Sequence, residues 1–101
     1  MGLKCICYFL RVEHDKKHFP NRLRKYRRVN GYTQIQVAQL LNLSNSTRVS
    51  EWEKGKSLPN VENLLKLSVI YHALINDFYF DVIQAYRTEL LQKQEANFPR
   101  F

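Results

Sequence analysis

The segment from Thr33 to Pro59, TQIQVAQLLNLSNSTRVSEWEKGKSLP, constrains this chain more than any other, because it spells two short helices joined by a tight turn. Thr33 offers a hydroxyl to the backbone N–H groups of the opening turn, and Gln36, three residues on, completes a capping box. Val37, Leu40 and Leu41 then fall on one face at helical spacing. Ala38 stands among them, and its methyl adds so little bulk that a second helix can cross closely. Asn42 ends the helix, since Asn is, after Gly, the residue that most easily takes the left-handed conformation, and Leu43 is placed to tuck back beneath it. Ser44, Asn45 and Ser46 offer caps for the second helix, which shows Val49 and Trp52 on its inner face and stops at Gly55. Left on its outer face are Ser46, Thr47, Arg48, Ser50, Glu51 and Lys54, a polar and mostly short-chained set that suits base edges in a major groove.

The rest of the chain reads as further helices around this pair. A first helix is expected from Pro20 or Asn21 to Asn30, with Gly31 as its stop and with Leu23 and Tyr26 facing inward. A fourth opens at Asn60 as cap, turns Val61, Leu64, Leu65 and Leu67 to the core, and runs to about Tyr71. A fifth starts after Asn76 and carries Phe78, Val82, Ile83, Tyr86, Leu90 and Leu91 toward Gln94. The expected division is an N-terminal arm over 1–19, a helical domain over 20–95 and a tail over 96–101 that frays around Pro99.

Taken in order, Leu23, Arg27, Gly31, Thr33 with Gln34, Ala38, Leu41, Ser44, Val49, Ser50, Glu53, Gly55, Pro59 and the run from Glu62 to Leu67 resemble the Cro/C1-type helix-turn-helix family. The resemblance extends from Leu23 to about Phe78. It implies an all-α, five-helix, lambda repressor-like domain, here with an extended C-terminal helix, and a bacterial transcription regulator. It also implies that the residue at Gln34 contacts DNA and that Arg27 pairs with Glu53 beneath the DNA-facing surface. Two features depart from the family pattern: Asn42 stands where Gly is usual, and the interval from Asn42 to Val49 is one residue longer. The extra residue lengthens the turn and leaves the start of the second helix open by one position.

Charge divides along the same line. Residues 1–60 carry 12 Lys or Arg against 4 Asp or Glu, whereas residues 61–101 carry 4 against 5. Five of the basic residues, Arg22, Arg24, Lys25, Arg27 and Arg28, fall in the first helix. Alone such a run is most often a solvated helix face; beside the two-helix unit, and with a pI near 9.7, it points to a polyanionic partner. Nucleic acid is favoured over a membrane surface, since no long apolar run or basic amphipathic anchor is present, and Cys5 to Leu10 is too short to span a bilayer. The aromatics Trp52, Phe78, Tyr79, Phe80 and Tyr86 stand at helical spacing and read as core or interface rather than as base-stacking platforms.

Cys5, Cys7, His14 and His18 make a C-x-C-x6-H-x3-H series, but the first pair is tighter than usual finger spacing, and reduced cytosolic thiols beside surface histidines are the better reading. No metal or cofactor is expected. Nucleophile elbows, phosphate loops and zinc-hydrolase motifs are missing, so no enzyme is expected either. The expectation is a cytoplasmic repressor that reads an inverted-repeat operator in double-stranded DNA. Its base-facing and phosphate-facing residues are Gln34, Asn45, Ser46, Thr47, Arg48, Ser50, Glu51, Lys54 and Lys56. A homodimer is expected through the C-terminal helix, whose stripe Phe78, Val82, Tyr86 and Leu90 exceeds what a small core must cover. The alternative is a protein-interaction module, such as an antitoxin gripping a toxin-like partner, in which the helix-turn-helix is secondary.

Overall fold

A computed structural model describes residues 18–98. Within them the chain forms six helices and no strand: α1 Leu23–Val29, α2 Gln34–Leu40, α3 Thr47–Glu53, α4 Val61–Tyr71, α5 Ile75–Phe78 and α6 Phe80–Asn97. The expected all-α class holds. The stretch from Cys5 to Leu10, which includes Cys7, lies outside the described residues, as do His14 and Pro99, whereas Phe19 at the end of the arm is buried in the core.

Local chemistry sets most boundaries. The Thr33 hydroxyl accepts from the Gln36 N–H at 3.1 Å and Gln36 Oε1 accepts from the Thr33 N–H at 2.9 Å, closing the capping box at the head of α2. Asn42 takes the left-handed conformation with φ 59°, and the Leu43 N–H returns to the Ala38 carbonyl at 2.9 Å. Asn60 caps α4 by accepting from the Asn63 N–H at 2.8 Å. α1 starts two to three residues later than expected because Asn21 stays outside it. Its side-chain oxygen accepts from the Leu23 N–H at 3.0 Å, while its amide donates to the carbonyls of Phe19 and Trp52, both at 2.8 Å. One side chain thus caps α1 and ties it to α3. Gly55 closes α3 at φ 79°, and a Cβ there would come 2.7 Å from the Phe19 carbonyl oxygen, so the position excludes larger residues on two counts.

The core gathers Leu23 of α1, Val37 and Ala38 of α2 with Leu41, Val49 and Trp52 of α3, Leu67 and Tyr71 of α4, then Phe78 and Val82. Phe78 is fully buried, with the rings of Tyr26 and Tyr71 edge-on at 5.6 and 5.9 Å. Burying a ring of this size stabilises the fold by about 2 to 3 kcal/mol.

Several expected core residues lie outside. Leu40 is exposed, since it sits roughly 100° around the helix from the centre of the stripe formed by Val37, Ala38 and Leu41. On α4 the buried line is Asn63, Leu67 and Tyr71 with Leu64 partly covered, which turns Val61 and Leu65 to the surface. The last helix is two helices. The Phe78 carbonyl accepts the Arg22 N–H at 2.8 Å, so it is committed to another element, and the backbone turns at Tyr79 before the Ile83 N–H resumes the ladder on the Tyr79 carbonyl at 2.9 Å. α6 then runs past Gln94 to Asn97, into the segment expected to fray. Of the stripe expected to continue outward, Phe78 and Val82 are core, and Tyr86 and Leu90 remain exposed, as does Leu91 beside it. Trp52 and Tyr79 are buried as expected of core aromatics, whereas Phe80 stands partly exposed beneath the Arg22 guanidinium, 5.1 Å from its ring centre.

Candidate nucleic-acid interface

α3 is seven residues long and too short to hold its shape in water alone, so its placement depends on what lies beneath it. Val49 and Trp52 are buried, fixing the inner face. The other anchor is ionic. Arg27 reaches up from α1, its Nε donating to Glu53 Oε2 at 2.6 Å and its Nη2 to Oε1 at 3.2 Å, while Nη1 donates to the Tyr32 carbonyl at 2.9 Å. This is the pair that the family resemblance implied. The Arg27 and Glu53 side chains retain 10% and 4% of their exposure, so water screens their attraction little. Hydrogen bonding to Glu53 raises the Arg27 pKa above its ordinary value, with burial pulling the other way. For the nearby Tyr71 hydroxyl, burial and then the Glu53 carboxylate both push the pKa up.

Glu53 also holds Gln34. The Gln34 amide nitrogen donates to Glu53 Oε1 at 2.9 Å, which leaves its second N–H and its oxygen for a ligand. Above this Arg27–Glu53–Gln34 chain lies an open depression of about 550 Å³ between the start of α2 and α3, walled by Arg24, Thr33, Ile35, Ser46, Ser50 and Lys54. Because Arg27 neutralises the carboxylate in its floor, Arg24 and Lys54 give the depression its charge, which is positive.

The depression brings together Gln34, Ser46, Ser50 and Lys54 of the residues singled out from the sequence. Thr47, Arg48 and Glu51 are exposed on α3 outside its walls, and Lys56 is exposed beyond Gly55. Asn45 is also exposed, but its side-chain oxygen accepts from the Thr47 N–H at 2.9 Å and so caps α3, a role Ser46 does not fill. Arg24 and Ile35 were not among the residues singled out for the site. Arg24 was submerged in a run of five basic residues. Ile35, 61% exposed, carries the one available signal: an apolar residue directly after Gln34 and off the buried stripe of its helix.

Residues 23–72 match a family model described as Helix-turn-helix, a span that takes in α1 to α4. The chain belongs to the Cro/C1-type helix-turn-helix family. That family is a class of DNA-binding regulators, and double-stranded DNA is the ligand class it implies. No curated protein and no solved structure gives a significant match to the chain. Among the described residues no helix is long and apolar enough to cross a membrane.

Proposed function

We propose that this protein is a sequence-specific transcriptional repressor that binds an inverted-repeat operator as a homodimer, with α3 in the major groove of each half-site. The observation that carries the reading is the Arg27–Glu53–Gln34 chain, which spends a buried ion pair on fixing α3 and the head of α2 around a positively charged depression. Ser46, Thr47, Arg48, Ser50 and Glu51 then face base edges, with Asn45 setting the start of the helix. Arg48 pairs with a guanine edge, and Glu51 accepts from a cytosine amine or orients Arg48. Gln34, through its free N–H, and Lys54 and Lys56 hold phosphates, as do backbone amides. Arg24 of α1, which also lines the depression, joins them.

The two sets of contacts separate experimentally. Arg48→Ala is expected to cost about 1 to 3 kcal/mol on the preferred operator and to relax preference at one base pair. Lys56→Ala is expected to weaken every duplex alike and to flatten the salt dependence by about one ion. Binding of both variants and the parent to a selected operator and to random duplex, across a salt series, measures both effects. Equal affinity of the parent for every duplex, or no binding at low salt, would leave the protein-interaction reading, with a toxin-like partner, in its place. The homodimer contact was expected on the last helix, where Leu90 and Leu91 are exposed.

A further inference from the structure

α4 carries two apolar lines, and only one of them is used. Its inner line enters the core through Leu67 and Tyr71. Val61, Leu65 and Val69 stand at intervals of four on the opposite side, 71%, 55% and 73% exposed. They form one continuous strip along a helix about 16 Å long. By contrast, the exposed Leu90 and Leu91 of α6 are adjacent in sequence, lie about 100° apart around the helix, and are set among Arg87, Glu89 and Lys93.

We infer that a second copy of this chain docks on the outer face of α4, with the two α4 helices antiparallel and Leu65 meeting Leu65 at a two-fold axis. The strip reads the same from either end, Val–Leu–Val, so an antiparallel partner sets Val61 against Val69 of the partner subunit and Val69 against its Val61. Charge selects the same arrangement. Glu62 and Lys66 flank the strip on one side, where they form an exposed pair at 3.0 Å within the helix. The two-fold axis brings like flank to like flank, one turn out of phase, so each Glu62 comes beside Lys66 of the partner subunit. A parallel pair would set these charges against Leu64 and Ser68 and gain nothing. Net charge does not oppose the contact, since residues 61–101, which include α4, carry 4 Lys or Arg against 5 Asp or Glu. The strip is short, so the contact it offers lies at the small end of interface sizes. This inference deepens the homodimer part of the proposed function by moving its contact from α6 to α4, and it does not depend on any DNA contact.

Sedimentation equilibrium of the full chain without DNA, from about 1 to 200 µM, is the test. The parent is expected to pass from monomer to dimer. Leu65→Glu, which sets two like charges together at the axis, is expected to weaken association by at least about a hundredfold, with the helical circular dichroism signal retained because Leu65 is a surface residue. Glu62→Lys is expected to weaken the dimer and its combination with Lys66→Glu to restore it, whereas Leu90→Lys leaves association unchanged. A parent that stays monomeric, a Leu65→Glu protein that still dimerises, a combined variant without recovery, or loss of the dimer in Leu90→Lys would each overturn the α4 contact. Since DNA binding is measured separately, failure here leaves the operator reading intact, and failure there leaves this one intact.

Discussion

α3 and the second half of α6 differ in what holds them, and the difference maps onto what each is for. α3 has two buried apolar residues in seven and a buried bidentate ion pair at its end, with side chains of Asn21 and Gln34 reaching it from neighbouring elements. α6 is more than twice as long but has only Val82 and Ala85 buried, and after Glu89 every described residue is exposed. The ion pair of Glu89 with Lys93 at 3.2 Å lies in solvent. The shorter helix is therefore the better fixed, because tertiary contacts and not length set the placement of a short helix. The base-edge reading proposed for α3 requires that fixation.

The sharpest way to break this contrast is to treat the two ion pairs alike. Arg27→Met strands the buried Glu53 carboxylate and Glu53→Gln strands the buried Arg27 guanidinium, so denaturation should show a loss of about 3 to 5 kcal/mol in either variant. Lys93→Ala removes an exposed pair and should change stability by less than about 0.5 kcal/mol. Equal effects in the two regions would mean that the buried chain does not fix α3.

Between α5 and α6, the Tyr79 hydroxyl is buried with no hydrogen-bond partner among the described residues, and burial pushes its pKa up to about 12. Tyr79→Phe should raise stability by about 1 kcal/mol, since a desolvated hydroxyl without a partner is a net cost. The same group fixes a pH dependence. Its folded pKa lies above the unfolded value near 10, so the neutral hydroxyl is favoured in the fold below pH 10, and stability falls as pH rises from 10 through about 12. Thermal melts from pH 9 to 12 should show a shallower loss in Tyr79→Phe than in the parent. An identical alkaline slope would count against the buried hydroxyl.

His72 ends α4 in the left-handed conformation at φ 53°. A glycine there relieves a Cβ clash, so His72→Gly should stabilise by up to about 1 kcal/mol. Asn42→Gly, at φ 59°, should give only a few tenths, because Asn already tolerates that conformation. Chemical denaturation of the two variants orders them, and a larger gain at Asn42 would contradict the account of how these helices stop.

What the sequence by itself determined were the features whose causes lie within a few residues. The Thr33 and Gln36 box and the Asn60 cap are exchanges between a side chain and nearby backbone, and the Asn42, Gly31 and Gly55 stops follow from which residues accept a positive φ, so residue type and spacing reveal them. The family resemblance added the Arg27 and Glu53 pair across 26 residues, which no local signal carries. Tertiary structure decided which apolar residues were core. Periodicity gives a helix a stripe, but the angle at which neighbours meet that stripe assigned Leu67 and Tyr71 inward and left Leu40, Val61 and Leu65 outside. It also decided the break at Tyr79, where no Gly or Pro warns of an end. The Phe78 carbonyl is claimed by Arg22, a hydrogen bond between residues 56 positions apart that exists only once α1 and α5 have packed together.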